Sequence, residues 1–149
     1  MKVYLLILIV VFSSCSLFDG LKKRSFAYEN NSKKYNLPLL IPKKYKTVKV
    51  TVDSTGNREQ IYQYANGSLL YFAYGDTTKE LQSIDTAMNI TRFYPGNIHY
   101  YKGQDSSTAL FWRESRYKNL RFGYRNVPFE TEAVFDSSIN YAGWQRLKQ

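Results

Sequence analysis

The sequence predicts an α+β fold that is mainly β, an antiparallel meander sheet or partial barrel of about six strands with one or two short helices. Three observations predict it. The chain of 149 residues carries 14 Tyr, 9 Phe and 2 Trp, and aromatic rings suit the half-buried surface of a sheet. Residues 46–53 alternate strictly, Val48, Val50 and Val52 against Thr47, Lys49 and Thr51, which is the period of a strand with one buried face. Asn66-Gly67 separates two strand-like runs, and that dipeptide supplies the positive φ angles a tight hairpin turn requires.

Taken in order, the strand at 46–53 ends in Asp53-Ser54-Thr55-Gly56-Asn57, a turn sequence. The next two strands, 58–65 and 68–74, flank Asn66-Gly67. With Ala65 opposite Ser68, Tyr62, Tyr64, Leu69 and Tyr71 share one face, while Ile61, Gln63, Leu70 and Phe72 share the other. The aliphatic face is the expected core, and the tyrosines form either a platform or a surface beneath a helix. Thr77-Thr78-Lys79-Glu80 has capping-box spacing, and Leu81, Ile84 and Met88 recur on one helical face, so a helix is expected over 78–88. Further strands are expected at 97–102, 108–114 and 120–125, separated by polar loops. After Pro128, residues 129–144 fit either a short helix or another strand.

The amino terminus has a different character. Lys2 precedes the apolar run Val3–Phe12, and Ser13-Ser14 place small side chains before Cys15, the single cysteine. Ten helical residues span about 15 Å, half of a hydrocarbon core near 30 Å, so this run is too short for a stable transmembrane helix. Phe12-Ser13-Ser14-Cys15 resembles the lipobox of bacterial lipoproteins, including those of Bacteroidota. The resemblance implies a signal peptide over 1–14 and diacylation of Cys15. Ser16 follows the cysteine where aspartate would favour inner-membrane retention, so the resemblance implies the outer membrane. With only Asp19 as an early acidic residue, the periplasmic face is the expected side. Residues 15–44 are then expected to be a lipidated basic tether, and 45–149 the globular domain.

Charge supports that division. The net charge of +9 is concentrated between Lys22 and Lys49, against Glu29 alone, whereas basic and acidic residues nearly balance over 50–149. Export and a near-neutral domain argue against nucleic acid as a partner. The lysines of the tether are expected to meet anionic headgroups or to be solvated.

The search for chemistry yields binding candidates rather than a catalytic set. Tyr62, Tyr64 and Tyr71 offer flat rings with hydroxyl tips for a sugar or peptide. Arg113, Arg121 and Arg125, with Arg116, offer guanidinium forks for carboxylate or phosphate. Ser115-Arg116-Tyr117-Lys118 spells a serine–lysine motif but falls in an expected loop. His99 has no second histidine to share a metal, and the acids Asp76, Glu80 and Asp85 lack the regular spacing of a calcium loop. No cofactor and no metal are expected. The sequence therefore points to a noncatalytic, membrane-anchored domain that binds an envelope protein or glycan, and the alternative is a small envelope hydrolase using a carboxylate pair.

Overall fold

Runs of alternating apolar and polar residues pair into two sheets. The computed structural model describes residues 20–75 and 98–147. In chain order they form β1 (Leu21–Asn30), β2 (Lys33–Pro42), β3 (Tyr45–Val52), β4 (Arg58–Tyr64), β5 (Leu69–Tyr74), β6 (His99–Gln104), β7 (Phe111–Tyr117), β8 (Leu120–Val127) and α1 (Phe129–Leu147). β1 and β2 make a two-stranded sheet, and the other six form an open antiparallel sheet in the order β3-β4-β5-β8-β7-β6. The expected mainly-β, antiparallel architecture is present, and the sheet does not close into a barrel. The expected helix over 78–88 lies outside the described residues.

One face of the large sheet is covered by the β1–β2 hairpin and α1. The core between these layers includes Phe26, Leu37, Leu39 and Ile41 from the hairpin, Tyr62, Tyr64, Leu70 and Phe72 from β4 and β5, and Phe122 and Tyr124 from β8. The helix contributes Phe135, Ile139 and Ala142, spaced by four and three residues along one face. Pro128 stands just before its first turn, Glu130 and Glu132 lie within that turn, and Arg146 lies in the last, so its charges oppose its dipole. Ser138 Oγ donates to the Leu40 carbonyl, tying α1 to β2.

The hairpin corrects the expectation of a tether over 15–44 and of a domain starting at residue 45. From Leu21 onward that segment is folded and supplies core residues. Scattered lysines and two prolines hide its periodicity. Those prolines are tolerated because, among the described residues, β2 pairs only with β1, so a missing N–H on its other edge breaks no ladder bond there. The reversal between the strands is a two-residue turn, Asn31 and Ser32, with φ of 49° and 61°. This is the type I′ pattern with serine where glycine is usual.

Two further expectations change. At Asn66-Gly67 only Gly67 has positive φ, at 82°. Tyr64 N donates to Ser68 O at 3.0 Å and Gly67 N to Tyr64 O at 3.1 Å, so the loop has three residues, a turn plus a glycine bulge. The pairing becomes Tyr62 with Leu70 and Ile61 with Tyr71, one residue from the expected register, which moves every side chain of β5 to the opposite face relative to β4. β3 is a strand as expected, yet Val48, Val50 and Val52 are exposed at 41%, 48% and 57%. The hairpin rings Phe26 and Tyr28 pack on Phe72 and Tyr74 of β5, and β3 is left as the uncovered edge.

Candidate functional site

The register decides the fate of the predicted tyrosine platform. Tyr62 and Tyr64 point into the core, where Tyr64 packs edge-on against Phe135 at 5.0 Å between ring centroids and its hydroxyl donates to Pro42 O at 3.0 Å. Burial pushes its phenol well above the ordinary range. Tyr71 lies on the opposite face of the sheet. The three rings are therefore not a platform, and Tyr62 and Tyr64 are core residues.

Tyr71 instead builds a polar cluster with the predicted arginines. Its ring crosses β8 at Gly123, where a Cβ would sit 2.6 Å from the Tyr71 hydroxyl and 2.0 Å from the Arg113 carbonyl. Glycine therefore leaves room for the hydroxyl to reach β7 and donate to Glu114 Oε2 at 2.8 Å. Arg116 Nε donates to the other oxygen of Glu114 at 2.6 Å. The guanidinium groups of Arg121 and Arg125 lie 5.8 and 5.7 Å from the Tyr71 ring centroid, and Arg121 lies 3.6 Å from Glu59. Burial first, then the Glu114 charge, raises the Tyr71 phenol. Glu114 and Arg121 are buried.

Arg113 is not part of this cluster, a correction to the predicted arginine patch. Neighbouring positions on a strand face opposite ways, and Arg113 pairs with Tyr124 on the helix side. There its Nη1 donates to Asp136 Oδ1 at 2.9 Å and its Nη2 to Asn140 Oδ1 at 2.8 Å. Lys102 Nζ donates to Asp136 Oδ2 and lies equally close, 2.7 Å, to Glu132. The Tyr124 hydroxyl donates to Asp136 at 2.9 Å. Burial would raise the Asp136 carboxyl, but hydrogen bonds from Lys102 and Arg113 outweigh it and hold the group below the usual carboxylate range. A groove of about 510 Å³ runs beside this centre, walled by Tyr100, Ile139 and Trp144.

A cavity of about 960 Å³ lies where the hairpin tips converge. Tyr35, Tyr28 and Tyr74 stack along its wall, with centroid separations of 5.3 and 4.6 Å and interplanar angles of 12° and 24°. Asparagine amides and the loop after β3 form its rim. Asp53 organises that loop by accepting from the N–H groups of Thr55 and Asn57 and from their side chains. These bonds hold its carboxyl down at about 2. Arg58 reaches the same cavity. Its Nε is buried with no acceptor, and among the described residues its guanidinium has no carboxylate within ion-pair distance.

The sequence reading missed this bay because its tyrosines are separated in sequence and meet only through the β1–β2 hairpin. The recoverable signal was Tyr28 and Tyr35, which lie at equal distances from the Asn31-Ser32 turn. Of the remaining candidates, Ser115 is buried in β7, while Lys118 occupies the following turn with its ammonium over the Tyr117 ring. His99 opens β6. Cys15, Asp76, Glu80 and Asp85 lie outside the described residues. Among the described residues, no group of three or more His, Cys, Asp or Glu side chains could hold a metal ion.

Comparison of the chain with known proteins gives no match to a protein family, to a curated protein or to a solved structure.

Proposed function

We propose that this chain is an outer-membrane lipoprotein, anchored through Cys15, whose β-rich domain binds an envelope glycan or protein without chemistry. The observation that carries the binding reading is the bay at the hairpin tips, where Tyr35 and Tyr74, stacked on the buried Tyr28, present part-exposed ring surface beside a rim of amides. Its 960 Å³ falls at the upper end of small-ligand sites, about 300–1,000 Å³. Sugar rings pair an apolar face with equatorial hydroxyls, so ring walls and amide rims complement them, and a glycan is the favoured ligand.

The position of the bay suits an anchored binder. Gly20 O accepts from Lys43 N at 2.8 Å at the base of the hairpin, and only residues 16–20 separate that base from Cys15, about 17 Å when fully extended. The ten residues of β1 then run about 33 Å toward the tip. The bay lies at the end remote from the anchor. Lys22, Lys23, Lys43 and Lys44, all exposed, stay at the base, where anionic headgroups can meet them.

Of the helix-side carboxylates, Asp136 does not fit the general acid of the hydrolase alternative, whose other candidates Asp76, Glu80 and Asp85 lie outside the described residues. A general acid needs a raised carboxyl, whereas Asp136 is held low by Lys102 and Arg113. The test is a pair of measurements on the full chain. Intact mass of protein purified from membranes should show a chain starting at Cys15 with added acyl mass, lost in Cys15→Ser. Binding of detergent-solubilised protein to immobilised envelope polysaccharide should be lost in Tyr35→Ala with folding retained. An unacylated chain would remove the anchor, and unchanged binding in Tyr35→Ala would remove the bay.

A further inference from the structure

We propose that the bay selects acidic saccharides, with Arg58 as the residue that pairs with the sugar carboxylate; this rests on the glycan-binding reading above. The bay combines two recognition elements. The tyrosine wall is neutral and would accept any sugar ring. Arg58 adds a charge that nothing in the described protein balances: Glu59, its neighbour, faces Arg121 at 3.6 Å, and both oxygens of Asp53 are taken up by Thr55 and Asn57.

A buried N–H without an acceptor is costly to leave unmade, because it has given up water and gained nothing. Arg58 Nε is such a group, as are Arg113 Nε and Arg146 Nε, and of the three arginines Arg58 is the one that lines the bay. A guanidinium also matches a carboxylate in shape, two parallel donors to two oxygens. A neutral sugar would leave Arg58 without a counter-charge, whereas an acidic sugar would bring a carboxylate to the terminal nitrogens of its guanidinium, its buried Nε staying out of a ligand's reach. Lys34 and Glu29 both line the bay and face each other across the hairpin, and Lys33 stands beside them at the tip, so the cations outnumber the one lining acid. The surrounding field is therefore basic and favours the approach of an anion.

The architecture fits a preformed site. Arg58 opens β4 directly opposite Tyr74 of β5, one of the three wall tyrosines. The cation and the stacking surface thus belong to adjacent strands of one sheet. The turn from Asp53 to Asn57, with Gly56 at φ 83°, is stapled by its own aspartate. Little ordering would remain to be done on binding.

The experiment is calorimetric titration of the full, detergent-solubilised chain with three probes: a trigalacturonate, the same trisaccharide as its methyl ester, and triglutamate. The acid form should bind at least about tenfold more tightly than the ester, the worth of one charge-assisted hydrogen bond. That preference should vanish in Arg58→Gln and shrink in high salt, while Tyr35→Ala should weaken the acid and the ester alike. Equal binding of acid and ester, unaltered by Arg58→Gln, would overturn the proposal and leave a neutral glycan site standing. Binding of triglutamate with no trisaccharide bound would overturn it in favour of an acidic peptide. Failure of all three probes would overturn it together with the glycan reading. Far- and near-UV circular dichroism of both variants establishes that they fold.

Discussion

Asp136 and Arg58 are both charged, partly buried residues beside a cavity, yet their surroundings are opposite. Asp136 accepts from Lys102, Arg113 and Tyr124, and every one of those donors belongs to the fold. Arg113 keeps one buried donor, Nε, without an acceptor but has both terminal nitrogens engaged, whereas Arg58 shares the orphan Nε and has no carboxylate within ion-pair distance among the described residues. On the other face of the sheet Glu114 resembles Asp136, with one oxygen committed to Tyr71 and one to Arg116. A saturated ion has spent its bonding capacity on holding strands and helix together, whereas an unsaturated one retains capacity for a ligand. Substitutions should therefore cost stability at the first kind of centre and leave it nearly unchanged at the second.

The largest effect is expected at Glu114, which is only 2% exposed. Glu114→Ala would leave the Tyr71 hydroxyl and the Arg116 guanidinium facing each other without their acceptor, and breaking a buried pair in this way costs about 3–5 kcal/mol. Urea denaturation should show a fall in unfolding free energy of that size. A loss below about 1 kcal/mol would mean that Glu114 is not the centre of the cluster.

This cluster also shows what a sequence can and cannot disclose. Strand positions were legible because period-two alternation is a local property, and six segments of the large sheet lie close to where the pattern puts them. Register was not, because it depends on the residues of the turn. Asn66-Gly67 has the preferred letters for a two-residue turn but adopts a three-residue one, and Asn31-Ser32 adopts the two-residue turn with less typical letters. The first slip separated Tyr71 from Tyr62 and Tyr64. The second concealed a hairpin, and with it Tyr28 and Tyr35. Arg121 and Arg125 were rightly placed on one face because they belong to one strand. Their neighbours, the Tyr71 ring that both guanidinium groups approach and Glu59 that faces Arg121, come from other strands, where pairing order matters and local pattern is silent.

Asp136→Asn should have the next largest effect, about 2 kcal/mol at neutral pH, since it weakens charge-assisted hydrogen bonds from two cations. Its pH dependence is the sharper test. The Asp136 carboxyl lies lower in the folded chain than its ordinary value near 4. Its contribution is therefore complete above about pH 4 and is lost as pH falls through the folded value. Tyr71 and Tyr124 act at the other limit. Both phenols are raised, by burial first and then by Glu114 and Asp136 respectively, so their contribution is complete below about pH 10 and is lost as pH rises beyond it. Stability measured from pH 2 to 11 should show both limbs, and Asp136→Asn should make the acid one shallower and remove part of Tyr124's share of the alkaline one, leaving Tyr71's share in place.

Tyr64→Phe isolates a single neutral hydrogen bond, the 3.0 Å contact to Pro42 O. The ring stays against Phe135, so the loss should be about 1 kcal/mol in thermal or chemical denaturation. Tyr64→Ala would also empty the ring's place in the core and cost about 3–5 kcal/mol more typical of aromatic truncation. A small effect of the alanine variant would return Tyr64 to the surface and reopen the tyrosine platform.

Arg58→Gln should change stability least, by no more than about 0.5 kcal/mol in either direction. The reason is the absence of partners: no ion pair among the described residues is broken, and the unpaired Nε donor is removed with the guanidinium. A gain in stability would fit the same logic, since a group held unsatisfied for a ligand is a cost to the empty protein. If Arg58→Gln instead destabilised the chain as strongly as Glu114→Ala, the arginine would be a structural ion, and the contrast between saturated and unsaturated centres would fail at the residue on which acid selectivity depends.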